Sequence, residues 1–449
     1  MKITRIFIAL FCFGVLTTIS ASAQQKAGWI TLKGQLEGFS NQVEVEDMSE
    51  FQYLLPPSSD RMIVPDANGN FSLKFKATAP NYYRLGRNAL YLSPGDDLTV
   101  LIDKGDPRKA SFEGKGAAAN NYMKNTPFPK GGSFIEAGRQ VKDSPAATIA
   151  AVEEKALQRT QQLASLTSVS AEFRRLENAR IKADLINSLY VGESYSIGKL
   201  KLKNEEAKKF SEAYNKAILP KVKEYAKGFT DASLMKLVVY RDIAEEIVKE
   251  GGKPYDVQVI KDWYLASEMV GKMQKLGNKQ QLASFKTKLS EITTPAYKNA
   301  ADKMLRQLMA FGKGDTAVDF TAIDLAGNKV NLSSLKGKVI YVDLWATWCG
   351  PCMQEMPHFE NLKAQYKDNP AVVFVSLSID DSEDLWKKSV ENRNADGCQW
   401  LINRSKLQAY NIVGIPRTLL IDKDFKIVDM DAPMPSEKEV TKAIDELLK

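Results

Sequence analysis

The stretch VIYVDLWATWCGPC, residues 339–352, decides how the last third of this chain is read. Its first eight residues are almost continuously apolar, as expected of a strand buried on both faces. A helical pattern begins immediately after it and runs through residues 352–366. Two cysteines therefore sit at a strand-to-helix junction. There, unpaired backbone amides and the helix dipole favour a negative charge, so Cys349 is expected to ionise readily. Lowering a thiol pKa from about 8.5 to about 7 is worth ~2 kcal/mol and raises the reactive fraction at neutral pH from a few per cent to about half. Cys352, one turn on and facing inward, is the less exposed sulfur that resolves a mixed disulfide. Pro351 suits a first helical turn, and Gly350 permits close approach of a partner backbone.

Outward from this junction, AVVFVSLSID (371–380) is a second apolar run, with helical patterns at 383–392 and 437–448. Strands alternating with helices imply an α/β sheet covered on both sides, assigned to residues 315–449. GKGDTA, after Phe311, reads as a linker. Before it, residues 119–311 are helical: Phe173, Leu176, Ala179, Ala183, Ile186 and Tyr190 recur at threes and fours along one stripe. Pro220 is expected to end or kink its helix, and Gly251-Gly252 to close another. Residues 24–118 alternate with period two between turn signals such as DANGN (66–70), which reads as a hairpin turn. That predicts an antiparallel, sandwich-like β domain. The fold class is thus multidomain, with an N-terminal antiparallel β domain, a helical middle domain and a C-terminal α/β domain.

The chain has 449 residues, 44% hydrophobic and 26% charged, an ordinary globular balance. Lys2 and Arg5 precede an apolar run that ends before Ala21-Ser22-Ala23, the pattern of a signal peptide (1–23) cleaved after Ala23. The run is shorter than a spanning helix needs, and bulky Phe11 argues against lipid attachment at Cys12. Cleavage leaves Cys349, Cys352 and Cys398, too few for a disulfide framework in an exported protein. The formal charge of +7 is uneven, about +9 in the processed chain before Phe311 and about −4 after it. The lysines mingle with glutamates and lack stacking aromatics or a phosphate loop, so no nucleic-acid partner is expected.

Trp348-Cys349-Gly350-Pro351-Cys352 is identical to the thioredoxin active-site motif, and VGIPRTLLIDKDFKIV resembles that family's cis-proline segment, which points to Pro416. The organisation DFTAIDLAGNKVNLSSLKGKVIYVDLWATWC, with Glu355 and Pro357 after Cys352, is similar to exported oxidoreductases of the TlpA/ResA type. SPGDDLTVLID and FEGKG more weakly resemble an N-terminal domain carried by some of them. The resemblance covers about residues 315–449 and implies a thioredoxin-like fold with a redox-active pair, Cys349 and Cys352, and no other cofactor. It further implies Asp343 as a buried acid accepting the Cys352 proton, Glu355 as a second acid coupled to it, and Trp348, Ile415 and Pro416 as the client groove. Arg417 stands where many relatives carry a small polar residue, and an acidic client surface is the expected consequence. Cys398 has no equivalent and is expected to be a buried structural thiol.

Protein thiol and disulfide clients follow, in the periplasm, with a membrane-embedded electron donor; homo-oligomerisation stays open. Zinc would need His358 and Cys398, and His358 lies far round the helix from Cys352. A peroxidase would need a proline seven residues before its cysteine, which neither Cys349 nor Cys352 has. A ligand- or partner-binding protein with an accessory thioredoxin-like domain is the alternative of another class. The Gly-Pro spacer favours a reductase near thioredoxin's value of about −270 mV, with isomerase or oxidase as the alternatives.

Overall fold

The structure, a computed structural model, describes residues 27–39, 42–56, 60–126, 133–276, 279–380, 382–412 and 414–449. The expected signal peptide lies outside the described residues. Among the described residues of 28–115 two larger sheets face each other, beside a short two-stranded one. In the first, Gly28–Glu37 lies between Asn70–Ala77 and Asp97–Asp103, with Ser111–Lys115 at the edge; in the second, Asn81–Leu85 lies between Glu46–Asp47 and Asn88–Leu92. Leu32, Phe75 and Val100 from the first and Leu85 and Leu90 from the second share one apolar core, which makes the region a sandwich.

The expected antiparallel pairing needs correction, because Gly28–Glu37 pairs parallel with Asp97–Asp103. Half-buried strands alternate with period two in either orientation, and the long excursion of the chain through the second sheet supplies the connection a parallel return needs. Gly34 accommodates that neighbour: a Cβ there would lie 1.9 Å from the Val100 carbonyl oxygen. The turn at 66–70 is present, with the Asp66 carboxylate accepting from the backbone of Asn68 and Asn70 at 2.9 and 2.8 Å. It does not close a hairpin, since Met62–Ile63 before it pairs with Val43–Glu44 and Asn70–Ala77 after it pairs with Gly28–Glu37.

Helices Pro145–Ala164, Ala171–Leu200, Asn204–Ala226 and Val238–Ile247 share a core that includes Phe173, Leu176 and Ile186, and it extends to Tyr82 and Tyr91 of the sandwich. Pro254–Gln274 and Pro295–Ala310 pack around a second core with Met273 and Met304. Pro220 does not end its helix, which continues to Ala226. Buried Ile218 and Val222 hold the chain on both sides of the proline, so packing outweighs the one backbone hydrogen bond it removes. Inside the first helical core Arg180 pairs with Glu177 and Asp184 at 2.6 Å each, and Tyr82 donates to Glu177 at 2.6 Å.

In the C-terminal region the strands are β1 (Thr321–Asp324), β2 (Lys329–Asn331), β3 (Val339–Trp345), β4 (Val372–Ser378), β5 (Cys398–Leu401), β6 (Arg417–Ile421) and β7 (Ile427–Asp429). The helices are α1 (Gly350–Gln365), α2 (Glu383–Asn392) and α3 (Glu439–Leu448). The sheet order is β2-β1-β5-β4-β3-β6-β7, with β3, β4 and β5 parallel and β6 antiparallel to β3. Every residue of β3 is buried, because apolar clusters cover both faces of the central strands: Val342 and Leu344 face one, Tyr341 the other. The segment after Phe311 is more than a linker. Gly314 donates to the Ile427 carbonyl at 2.7 Å and Ala317 to that of Phe425 at 2.8 Å, stitching it to the sheet beside β7. No helix among the described residues is long and apolar enough to cross a membrane.

Candidate active site

Cys349 is the N-cap of α1, the position whose side chain meets the helix's unpaired amides. Its Sγ accepts from the Cys352 backbone amide at 3.2 Å and lies 3.8 Å from the Ile415 carbonyl oxygen. A disulfide joins Cys349 to Cys352. Cys349 is 6% exposed and Cys352 1%, so Cys349 is the more accessible of the two. The Ile415–Pro416 peptide is cis, and Ile415 and Pro416 are both half-buried. Trp348 is 64% exposed at the mouth of the site. The fold thus brings Ile415, at the start of the cis-proline turn, against the cysteine pair across 66 residues of sequence.

Asp343 lies in β3 between Ser376 of β4 and Thr418 of β6. It is 1% exposed, and neither carboxylate oxygen has a hydrogen-bond partner among the described residues. Burial pushes its pKa up to about 7, the Glu355 carboxylate adds to the rise and the Arg393 guanidinium opposes it. A carboxyl near 7 can hold or release a proton at neutral pH. Glu355 lies one turn beyond Cys352 on α1; the Ser436 amide donates to it at 3.0 Å and the Ser436 hydroxyl at 2.8 Å. These two bonds hold the half-buried Glu355 carboxyl group in place on α1.

Two expectations meet side-chain geometry they did not foresee. Arg417 does not present its charge to clients: its side chain is 10% exposed and pairs with Asp431 at 2.7 Å. It lines a crevice with Asp431 against Leu276, Leu308 and Phe311 of the helical region, which covers the guanidinium. Cys398, the first residue of β5, is half-buried with its thiol pKa raised by burial. His358 is exposed on α1, and among the described residues no group of three or more His, Cys, Asp or Glu is placed to hold a metal.

Sequence reading passed over six neighbouring residues, Asp380, Thr347, Ser378, Trp345, Ser376 and Arg393. Asp380, at the end of β4, accepts from the Thr347 amide and hydroxyl, at 2.9 and 2.6 Å, and from Ser378. Trp345 donates its indole N–H to Ser376 at 2.8 Å, and Arg393 lies over its ring at 4.7 Å. An acidic residue at the carboxyl end of a buried strand, level with the cysteine turn, was the available signal for Asp380, since α/β sheets build their sites at that edge.

A redoxin family model matches residues 312–447. The thioredoxin-like protein YneN of Bacillus subtilis is 32% identical over 134 residues, 30% of this chain and 79% of that protein. The thiol-disulfide oxidoreductase ResA of Bacillus cereus is 34% identical over 130 residues, 29% of this chain and 72% of that protein. The chain belongs to the ResA-like thiol-disulfide oxidoreductases of the thioredoxin superfamily. Like those relatives, it is a thiol:disulfide oxidoreductase, with a thioredoxin-like fold in its C-terminal region. The crystal structure of the thioredoxin domain of a Bacteroides vulgatus thiol-disulfide oxidoreductase is 29% identical, with a TM-score of 0.29, covering 31% of this chain and 99% of that one. Membership in the ResA-like family implies protein thiols as clients; this chain adds the β sandwich and the helices before its oxidoreductase region.

Proposed function

We propose that the chain is an exported reductase of protein disulfides, working through Cys349 and Cys352 and assembled from parts at 24–118, 119–311 and 315–449. The observation that carries this reading is Cys349 Sγ at the N-cap of α1, accepting the Cys352 amide and facing the Ile415 carbonyl. The same amide and helix end that hold the sulfur in the disulfide stabilise a thiolate once the bond is reduced. In the reduced enzyme the Cys349 thiolate attacks a client disulfide, forming a mixed disulfide and releasing one client thiolate. The Cys352 thiol then gives its proton to the Asp343 carboxylate, and its sulfur displaces the second client thiolate from Cys349. Two electrons have passed to the client and the pair is again a disulfide.

Glu355, held by Ser436, raises the proton affinity of Asp343. Trp348, Ile415 and Pro416 hold the client strand, the indole by contact area and the turn by its backbone. Outside the cytoplasm no soluble nicotinamide system recharges the pair, so a membrane-embedded donor supplies two electrons, and the site is periplasmic after cleavage behind Ala23. Direction is tested by equilibrating the full chain with glutathione: a potential well below about −180 mV is expected, and a value above it turns the reading to isomerase or oxidase.

A further inference from the structure

Beneath α1 the structure leaves buried polar atoms without hydrogen-bond partners on three different elements. They are both carboxylate oxygens of Asp343 on β3, Oε1 of Glu360 on α1 and Nη2 of Arg393 at the C-cap of α2. Glu360 is answered by Lys363, which pairs with its Oε2; Asp343 has no such ion pair, and a charge buried singly is costly. Arg393 is held from three sides. Its Nε donates to the Ser389 carbonyl at 3.2 Å, its Nη1 lies 3.1 Å from Met356 Sδ, and its guanidinium lies over the Trp345 ring. The indole is fixed in turn by Ser376. The guanidinium is thereby set over Trp345, two residues along β3 from Asp343.

We propose that Arg393 is a positioning residue for the reaction, the counter-charge that keeps the buried Asp343 carboxylate ionised until it receives the Cys352 proton. This rests on Asp343 as the proton acceptor. The groups around Asp343 leave that task to Arg393. From its own strand comes Tyr341, which is neutral and has its pKa raised by burial and by Asp343 itself. From α1 come Glu355, which opposes ionisation, and the Cys352 thiol. From the paired strands come Ser376 and Thr418, which carry no charge. The cation that acts on the carboxyl is Arg393, which Glu360 also faces. Glu360 has a cation of its own in Lys363, and burial and Glu355 set against the Arg393 guanidinium leave Asp343 poised between its charged and neutral forms, the condition for a group that takes a proton and later returns it.

The test uses the full chain and reads Asp343 directly. The infrared carbonyl stretch of its protonated carboxyl, identified by its loss in Asp343→Asn, is titrated in the parent, in Arg393→Gln and in Arg393→Lys. Removing the charge is expected to move the titration up by about one pH unit, and lysine to restore most of it. In parallel, resolution of a Cys349 mixed disulfide with a model peptide is expected to slow several-fold in Arg393→Gln at pH 6 and to match the parent at pH 9. An unmoved carboxyl titration in folded Arg393→Gln overturns the assignment. A moved titration, with Asp343→Asn still resolving at the parent rate at every pH, overturns instead Asp343 as proton acceptor. Where Arg393→Gln does not fold, Arg393→Met, whose apolar chain packs against Trp345, replaces it with the same expected shifts.

Discussion

Asp380 grips Thr347 by both its backbone amide and its hydroxyl, two residues before Cys349. The carboxylate sits at the end of β4 and is 5% exposed, so these charge-assisted bonds are shielded from water. They fix the turn that delivers Cys349 to its N-cap. Asp380→Ala is expected to lower stability by about 1–3 kcal/mol, because the half-buried Thr347 amide and hydroxyl lose their acceptor. Asp380→Asn keeps acceptor oxygen and shape and should lose about half as much. Urea unfolding measures the first effect. The second readout is alkylation of reduced Cys349, which slows if the sulfur leaves the helix end; full stability and alkylation rate in Asp380→Ala would remove the clamp from the account.

Asp343 gives the fold a definite pH dependence. Its folded-state pKa, raised to about 7 chiefly by burial, lies above the unfolded value, so the protonated form favours the fold. That contribution is complete below about pH 4 and is lost as the pH rises through about 7. Asp343→Asn removes the loss, and its stability advantage over the parent should grow across this window toward an upper limit of about 4 kcal/mol by pH 8. Unfolding curves at pH 5 and pH 8 measure it, and an equal gap at both would show that Asp343 stays ionised throughout. The same variant should slow resolution by Cys352 while leaving attack by Cys349 nearly intact.

The sandwich and the helices are joined by a buried ion network, which makes their coupling measurable. Tyr82, from the sandwich, donates to Glu177, which Arg180 holds together with Asp184 at 4% side-chain exposure or less. Arg180→Met takes the ion-pair partner from two buried carboxylates and is expected to cost about 3–5 kcal/mol. Tyr82→Phe removes one bond to a charged acceptor and should cost about 1.5–3 kcal/mol. If the network joins the two regions, both substitutions lower one shared unfolding transition of the sandwich and helices; separate transitions that move independently would refute the coupling.

What could be read from the residues alone follows the range of the interaction. The apolar strand before Trp348, the proline in the first turn and the cysteine spacing are local signals, and they located β3, the start of α1 and the two sulfurs. Asp343, inside that apolar run, was picked out through the resemblance to thioredoxins and not from the run itself. Asp380 and Thr347 meet across 33 residues, and Arg393 reaches Trp345 from the end of another helix, so no local pattern marks them. The parallel pairing of Gly28–Glu37 with Asp97–Asp103 escaped for a related reason: alternation records which face of a strand is wet, not which way its neighbour runs. Arg417 was misjudged because composition does not show what covers a charge, here Asp431 and the helical region.

That covered charge gives the last expectation. With its side chain 10% exposed and engaged by Asp431, Arg417 has no free guanidinium to offer an acidic client, although it directly follows Pro416. Arg417→Thr should leave the ratio of kcat/KM for acidic and neutral peptide disulfides within about twofold, since a 1.4 kcal/mol loss would be needed for tenfold. Its cost should appear in stability instead, at about 1–3 kcal/mol, because Asp431 loses its charged partner and the crevice beside Leu308 and Phe311 loses its filling side chain. A tenfold fall in preference for the acidic peptide, with stability unchanged, would mean that the guanidinium swings out to meet the client.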